Sequence, residues 1–148
     1  MTDSGQSLFE VVVAIAISAL IIVALVSVTS NSIQNSSFSK NKSLAATYAE
    51  QASEWLRGQR DNNTDTFVAY ATRGTFCLPD SPLTDNSWLL NRPCNSNDVI
   101  AGTLFRRWVS LSAGVQNGKD VVMADVTVEW QDSGGLHQIV DSTTLSQR

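Results

Sequence analysis

Between Val11 and Ser39 the chain carries no Asp, Glu, Lys or Arg, and this charge-free stretch limits the possible fold more than any other feature. Its first part, Val11 to Val28, is interrupted only by Ser18 and Ser27. Coiled as a helix, that part rises about 27 Å, close to the roughly 30 Å hydrocarbon core of a bilayer. A helix that lines a soluble core keeps one polar face, and this one has none. The stretch therefore reads as membrane-inserted. A cleaved secretory signal is the main rival. Such a signal wants basic residues ahead of the apolar run and a small-residue cut site behind it. No Lys or Arg precedes the run, Thr29-Ser30-Asn31-Ser32 is a poor cut site, and Glu10 places an acid at its mouth.

Apart from Asp3 and Glu10, every charge lies from Lys40 onward, and the formal net charge of -4 excludes a broad nucleic-acid footprint. Helical character continues past the apolar run. Between Thr29 and Gln59 there is no Pro, and Gly58 is the one Gly. Ile33, Leu44, Tyr48, Ala52, Trp55 and Leu56 recur at helical spacings. Glu54 and Arg57 stand one turn apart and can pair. Arg57 and Arg60 suit the negative end of the helix dipole, and Gly58 suits its C-cap. The expectation is one helix from about Leu8 to Arg57, apolar all round at first and amphipathic in its second half.

From Asp61 the pattern changes. Asp61-Asn62-Asn63-Thr64-Asp65 reads as a turn or loop. Cys77 to Cys94 contains all three prolines and many turn formers, so it reads as a loop pinned by a disulfide. Closing a loop of that length stabilises a fold by roughly 3 kcal/mol. Leu104 to Leu111 has strand character, with Phe105, Val109 and Leu111 alternating. Val122, Ala124, Val126, Val128 and Trp130 alternate with Met123, Asp125, Thr127 and Glu129, which describes a half-buried strand. Gln131 to Gly135 supplies a turn, and Leu136 to Leu145 returns as the partner strand. The predicted fold class is α+β, with a small antiparallel sheet burying Tyr48, Trp55 and Leu56 of the amphipathic helix half.

Gly5-Gln6-Ser7-Leu8-Phe9-Glu10-Val11-Val12-Val13-Ala14-Ile15 resembles the class III (prepilin) signal of type IV pilins and pseudopilins. In that family a short leader ends in Gly, and a membrane peptidase cuts after it and methylates the new amine. The resemblance implies cleavage between Gly5 and Gln6, N-methylation of Gln6, and an assembly role for Glu10. Ala45 to Arg57 resembles the late first helix of minor pilins of the PilV type and of minor pseudopilins. The closing hairpin, Val126 to Leu145, resembles theirs too. The apolar helix has no Pro, unlike many major pilins. The implied organisation is a leader over 1–5, a transmembrane and filament-core helix over 6–28, its amphipathic continuation over 29–60, and an extracytoplasmic β domain over 61–148. The implied function is that of a minor pilin incorporated into or priming a type IV pilus. The alternatives are a minor pseudopilin of a type II secretion system, and a pilus-tip adhesion or DNA-uptake module. The implied partners are the prepilin peptidase, other pilins or pseudopilins, and the cytoplasmic membrane before assembly at the cell surface.

A carboxylate at the edge of hydrocarbon costs on the order of a few kcal/mol unless paired. Cleavage before Gln6 creates an amine one helical turn from Glu10, on the same chain or a neighbouring subunit. No enzyme constellation stands beside this reading. His137 is the one histidine and has no ligand or base partner in the sequence. Asp61-x-Asn63-x-Asp65 copies the first positions of a calcium loop, but Thr66 and Thr72 replace its Gly and Glu. A solvated turn is the better account, and no cofactor or metal is expected. Arg106 and Arg107 read as surface pairs rather than a nucleic-acid site.

Overall fold

The computed structural model describes residues 3–146, with side chains from Leu8 to Ser146. Helix α1 spans Asp3–Asn62 and α2 spans Thr64–Ala71. Strands β1 (Thr75–Cys77), β2 (Arg106–Gln116), β3 (Lys119–Asp132) and β4 (Gly135–Ser146) follow, with a short 3-10 helix at Asp85–Leu89 between β1 and β2. By internal contacts the chain divides into two units, 1–39 and 40–148. The first is apolar helix. The second holds the rest of α1 and the whole sheet, and the arrangement is α+β as expected.

Gly58 does not cap α1. It lies on an exposed face where an added Cβ would touch nothing, and the helix runs through it. One exposed Gly weakens a helix by about 1 kcal/mol but does not end it. The break comes at Asn63, whose backbone turns extended (φ -155°) while its side chain accepts a hydrogen bond from the Thr66 amide at 3.0 Å. That cap starts α2. The segment Asp61 to Asp65, expected as a loop, is thus the end of one helix, a cap and the start of another. The residues that copied a calcium loop are engaged here: Asn63 is the cap, and Asp61 pairs with Arg60 at 2.8 Å.

The sheet is four-stranded and antiparallel throughout, in the order β1-β2-β3-β4. β2 extends to Gln116, past the expected Leu111, and turns into β3 through Asn117-Gly118. Both residues have positive φ, 53° and 74°, as a tight hairpin with right-handed twist requires. β3 turns into β4 through Ser133-Gly134, with Asp132 opposite Gly135. Val122, Ala124, Val126, Val128 and Trp130 are buried, as their alternation predicts.

The α1 side of this core is built from Ala45, Ala49, Ala52 and Leu56, all essentially inaccessible. Small side chains at helical spacing let the helix approach the sheet closely. Of the three residues expected to bury, Leu56 does so fully, whereas Tyr48 and Trp55 pack at the margin. The Ser53 hydroxyl donates to the Asp141 carboxylate, tying α1 to β4. Cys77 and Cys94 are bonded, with Cα atoms 4.9 Å apart. Replacing both by Ser is expected to lower unfolding stability by about 3 kcal/mol. Denaturant titration of the detergent-extracted chain, with and without reductant, measures it.

Candidate functional site

Two features stand out: the uncovered apolar stretch of α1 with Glu10 at its head, and the pinned loop between the cysteines.

From Leu8 onward α1 is long and apolar enough to cross a membrane, and none of its apolar window is buried. Leu8 and Phe9 are each 71% exposed, and the large side chains from Val11 to Val28 are all exposed, from 38% at Val13 to 72% at Leu20. A soluble surface does not sustain so large an apolar area, so this stretch requires lipid or another apolar surface around it. Two hydroxyls, within it and at its end, are suited to that setting. The Ser18 hydroxyl donates to the Ala14 carbonyl at 2.8 Å, and Thr29 donates to Leu25 at 2.9 Å. Hydroxyls bonded back one turn enter hydrocarbon without an open donor. Glu10 is exposed near the start of the stretch. Gly5 and Gln6 lie in the first turns of α1 by backbone, and their side-chain surroundings lie outside the described residues.

The loop from Leu78 to Pro93 is held at three points. The first is the disulfide. The second is Trp88, 5% exposed, which stacks on Tyr70 of α2 at 4.5 Å and packs against Trp55 of α1 at 4.7 Å and Phe76 of β1 at 4.9 Å. The third is Arg107. Expected as a surface residue, it is 1% exposed, because it shares the inward alternation of Phe105, Val109 and Leu111. Its guanidinium donates to three carbonyls: Leu78 at 3.2 Å, Asp80 at 2.6 Å and Tyr48 of α1 at 3.1 Å. Its own carbonyl accepts from the Leu78 amide at 2.8 Å. Burial lowers its pKa to about 10, opposed by the nearby Asp80 charge, so it stays cationic at neutral pH. Arg106, by contrast, pairs with Glu129, and both side chains are half-buried rather than at the surface as expected.

Beyond the loop, Asp98 accepts from both terminal nitrogens of Arg92 and from the Asn95 amide at 2.6 Å. These bonds, led by that from Arg92, hold its pKa at about 2. His137 Nε2 lies 2.9 Å from the Asp132 carboxylate, with its ring against Trp130. The Asp132 pKa is lowered first by the Gly134 amide and then by His137. The pair brackets the Ser133-Gly134 turn. Among the described residues no group of three His, Cys, Asp or Glu side chains is placed to hold a metal ion.

With this geometry in hand, comparison with known proteins adds no relative: no protein-family model, curated protein or solved structure matches the chain. Sequence reading paired the two cysteines, and the structure bonds them. It missed Trp88 and Arg107 as the loop's anchors. The period-2 pattern from Phe105 to Leu111 already placed Arg107 inward, although its charge argued the other way.

Arg107→Met is expected to destabilise the fold by about 2–4 kcal/mol, because buried carbonyls lose their donor. Arg107→Lys should fall between, since an ammonium cannot reproduce the three-way fork. Thermal and denaturant unfolding read both. The depressed Asp98 pKa means that its contribution is complete above the ordinary carboxylate range and is lost as pH falls through about 2. Carboxyl NMR titration should show that midpoint, and Arg92→Ala should move it upward.

Proposed function

We propose that the chain is a structural subunit of a type IV pilus, a minor pilin anchored in the cytoplasmic membrane and then assembled through its apolar helix. The observation that carries this reading is the uncovered apolar stretch of α1 from Leu8, headed by Glu10. A simple anchor needs no carboxylate at its mouth, where an unpaired acid costs a few kcal/mol. A filament subunit has a use for one. Cleavage after Gly5 produces a positive amine at Gln6, and pairing of Glu10 with that amine on a neighbouring subunit offsets the cost. The pairing also sets the axial register as helices leave lipid for a bundle of their own kind. Packing rather than hydrophobic transfer drives that exchange, since lipid tails are as apolar as the helix. The absence of proline from Val11 to Val28 allows an unbroken helix there and supports a minor rather than a major subunit. On this reading 40–148 is the extracytoplasmic part, which agrees with a disulfide.

Mass spectrometry of the mature N-terminus tests the proposal. A methylated Gln6 is expected, and an intact Met1 or a cut near Asn31 would overturn it. Glu10→Ala should be cleaved normally but lost from sheared filaments by tenfold or more, taking about 1.4 kcal/mol or more of lost pairing as the scale. Normal incorporation would reduce Glu10 to a boundary residue.

A further inference from the structure

The β2–β3 hairpin reaches beyond the rest of the sheet. β1 pairs with β2 only from Trp108 to Ser110, and β4 reaches Ser146, opposite Val121, at the end of the described residues. Past that point Val115 pairs with Asp120 and Gln116 with Lys119, with no further strand beside them among the described residues. Val115 is 71% exposed, and Gln116 to Asp120 are exposed throughout. A two-stranded ribbon with no apolar face to bury is marginal in water, so this tip opens more readily than the sheet below it.

Asn117-Gly118 stands at the tip. Gln116 and Lys119 form the closing pair of the ladder, which leaves the Gly118 amide outside it. The Asn117 carboxamide makes no hydrogen bond among the described residues. An open carboxamide is thus followed directly by an open amide, and glycine adds no side chain to shield that nitrogen. No other asparagine combines these features. The amides after Asn31, Asn35 and Asn41 lie within α1, and the amide after Asn62 donates to Gln59 at 3.1 Å. The amide after Asn86 donates to Thr84 at 3.0 Å, and that after Asn97 to Asn95 at 3.1 Å. The carboxamides of Asn63 and Asn91 are engaged, one as a helix cap and one on the carbonyls of Arg73 and Thr75. Asn95 is followed by Ser96, whose side chain crowds the nitrogen.

We infer that Asn117 is a site of spontaneous covalent modification, converting to aspartate and isoaspartate through a cyclic imide formed with Gly118. The Gly118 nitrogen gives up its proton to solvent base and attacks the Asn117 side-chain carbonyl carbon, Cγ. The new C–N bond closes a five-membered succinimide, the Cγ–Nδ2 bond breaks, and ammonia leaves with a proton from solvent. Water then adds to either imide carbonyl and the C–N bond there opens. Opening at Cγ gives aspartate. Opening at the main-chain carbonyl gives isoaspartate, in which the chain runs through the former side chain. One water enters and one ammonia leaves, and nothing is oxidised or reduced. Either product adds a negative charge close to Asp120. Isoaspartate also lengthens the main chain by a methylene, so the two-residue turn no longer closes and the pairs of Val115 and Gln116 are lost. Leu111 and Val122 stay in place, because the buried core holds them. The reaction needs no enzyme and no partner, so the modified fraction rises with the age of the chain. It holds whether or not the chain is a pilin.

The test uses the detergent-extracted full chain, incubated at neutral and at mildly alkaline pH and then read by peptide mass spectrometry. The peptide carrying Asn117 should gain one mass unit, take up one oxygen from heavy-oxygen water, and split into two isomers with isoaspartate the larger. Alkaline pH should speed the change. The peptides carrying Asn86 and Asn95 should change more slowly by about tenfold or more, which is about 1.4 kcal/mol of barrier. The Asn117 rate in the folded chain should lie within about tenfold of that in a synthetic peptide of residues 112–122, since the tip opens readily. Asn86 in the folded chain should lag well behind its own synthetic peptide, because the Ser87 amide is bonded. Asn117→Gly keeps a turn of the same hand and should abolish the gain. An unchanged Asn117, aspartate without isoaspartate, or equal rates at Asn86 or Asn95 would overturn the inference. In the isoaspartate fraction the amides of Gln116 and Lys119 should exchange hydrogen faster by about tenfold or more, about 1.4 kcal/mol for the lost closing bonds. Those of Val109 and Val126 should not change. Unchanged exchange at Gln116 and Lys119 would overturn the opening of the turn.

Discussion

The guanidinium of Arg107 is the contact on which the second unit depends. A strand side chain, a mid-helix carbonyl and two loop carbonyls meet at one buried cation. Taking that charge out of water is costly, and the lowered pKa records it. The cost is accepted because each carbonyl otherwise needs a donor in a place that water does not reach. Helix, sheet and loop are therefore held in one mutual arrangement. The disulfide and Trp88 add to that arrangement from the loop's two sides.

This arrangement closes one side of the sheet. The loop that Arg107 and the disulfide hold in place carries Leu90 and Asn91 onto the β1 edge. The same contacts that stabilise the unit thus also satisfy the outward groups of the β1 edge. The first unit follows a different rule: its helix has no internal core, so its stability depends on what surrounds it.

Much of this was legible in the residues. The charge-free run, the isolated Glu10 and the alternation from Val122 to Trp130 each carry their own period or boundary, and local pattern survives folding. The errors have a common cause. Gly58 and Asp61 to Asp65 carry strong local preferences for a helix end and a loop. Contacts distant in sequence outweighed them: Gln59 bonds Asp85 and Trp88 of the loop, which helps keep the last turns helical. Arg107 was misplaced for the converse reason, since its charge predicts exposure unless the positions of Leu78, Asp80 and Tyr48 are known.

Sequence alone determined that the chain has an apolar, uncharged helix at its front, an acid at the head of it, a strand-rich second half and a cysteine pair. Hydrophobic period and charge placement are properties of the chain itself and need no partner to define them. Tertiary structure decided which arginine is buried, where α1 ends, and that the β1 edge is covered. The first and the last turn on groups brought together from a distance, Arg107 with Tyr48 59 residues apart and Asn91 with Arg73 18 residues apart, whereas α1 ends at a local cap, Asn63 on Thr66. No local pattern encodes such a meeting, because backbone groups are the same at every position and only the fold selects which of them lack a partner.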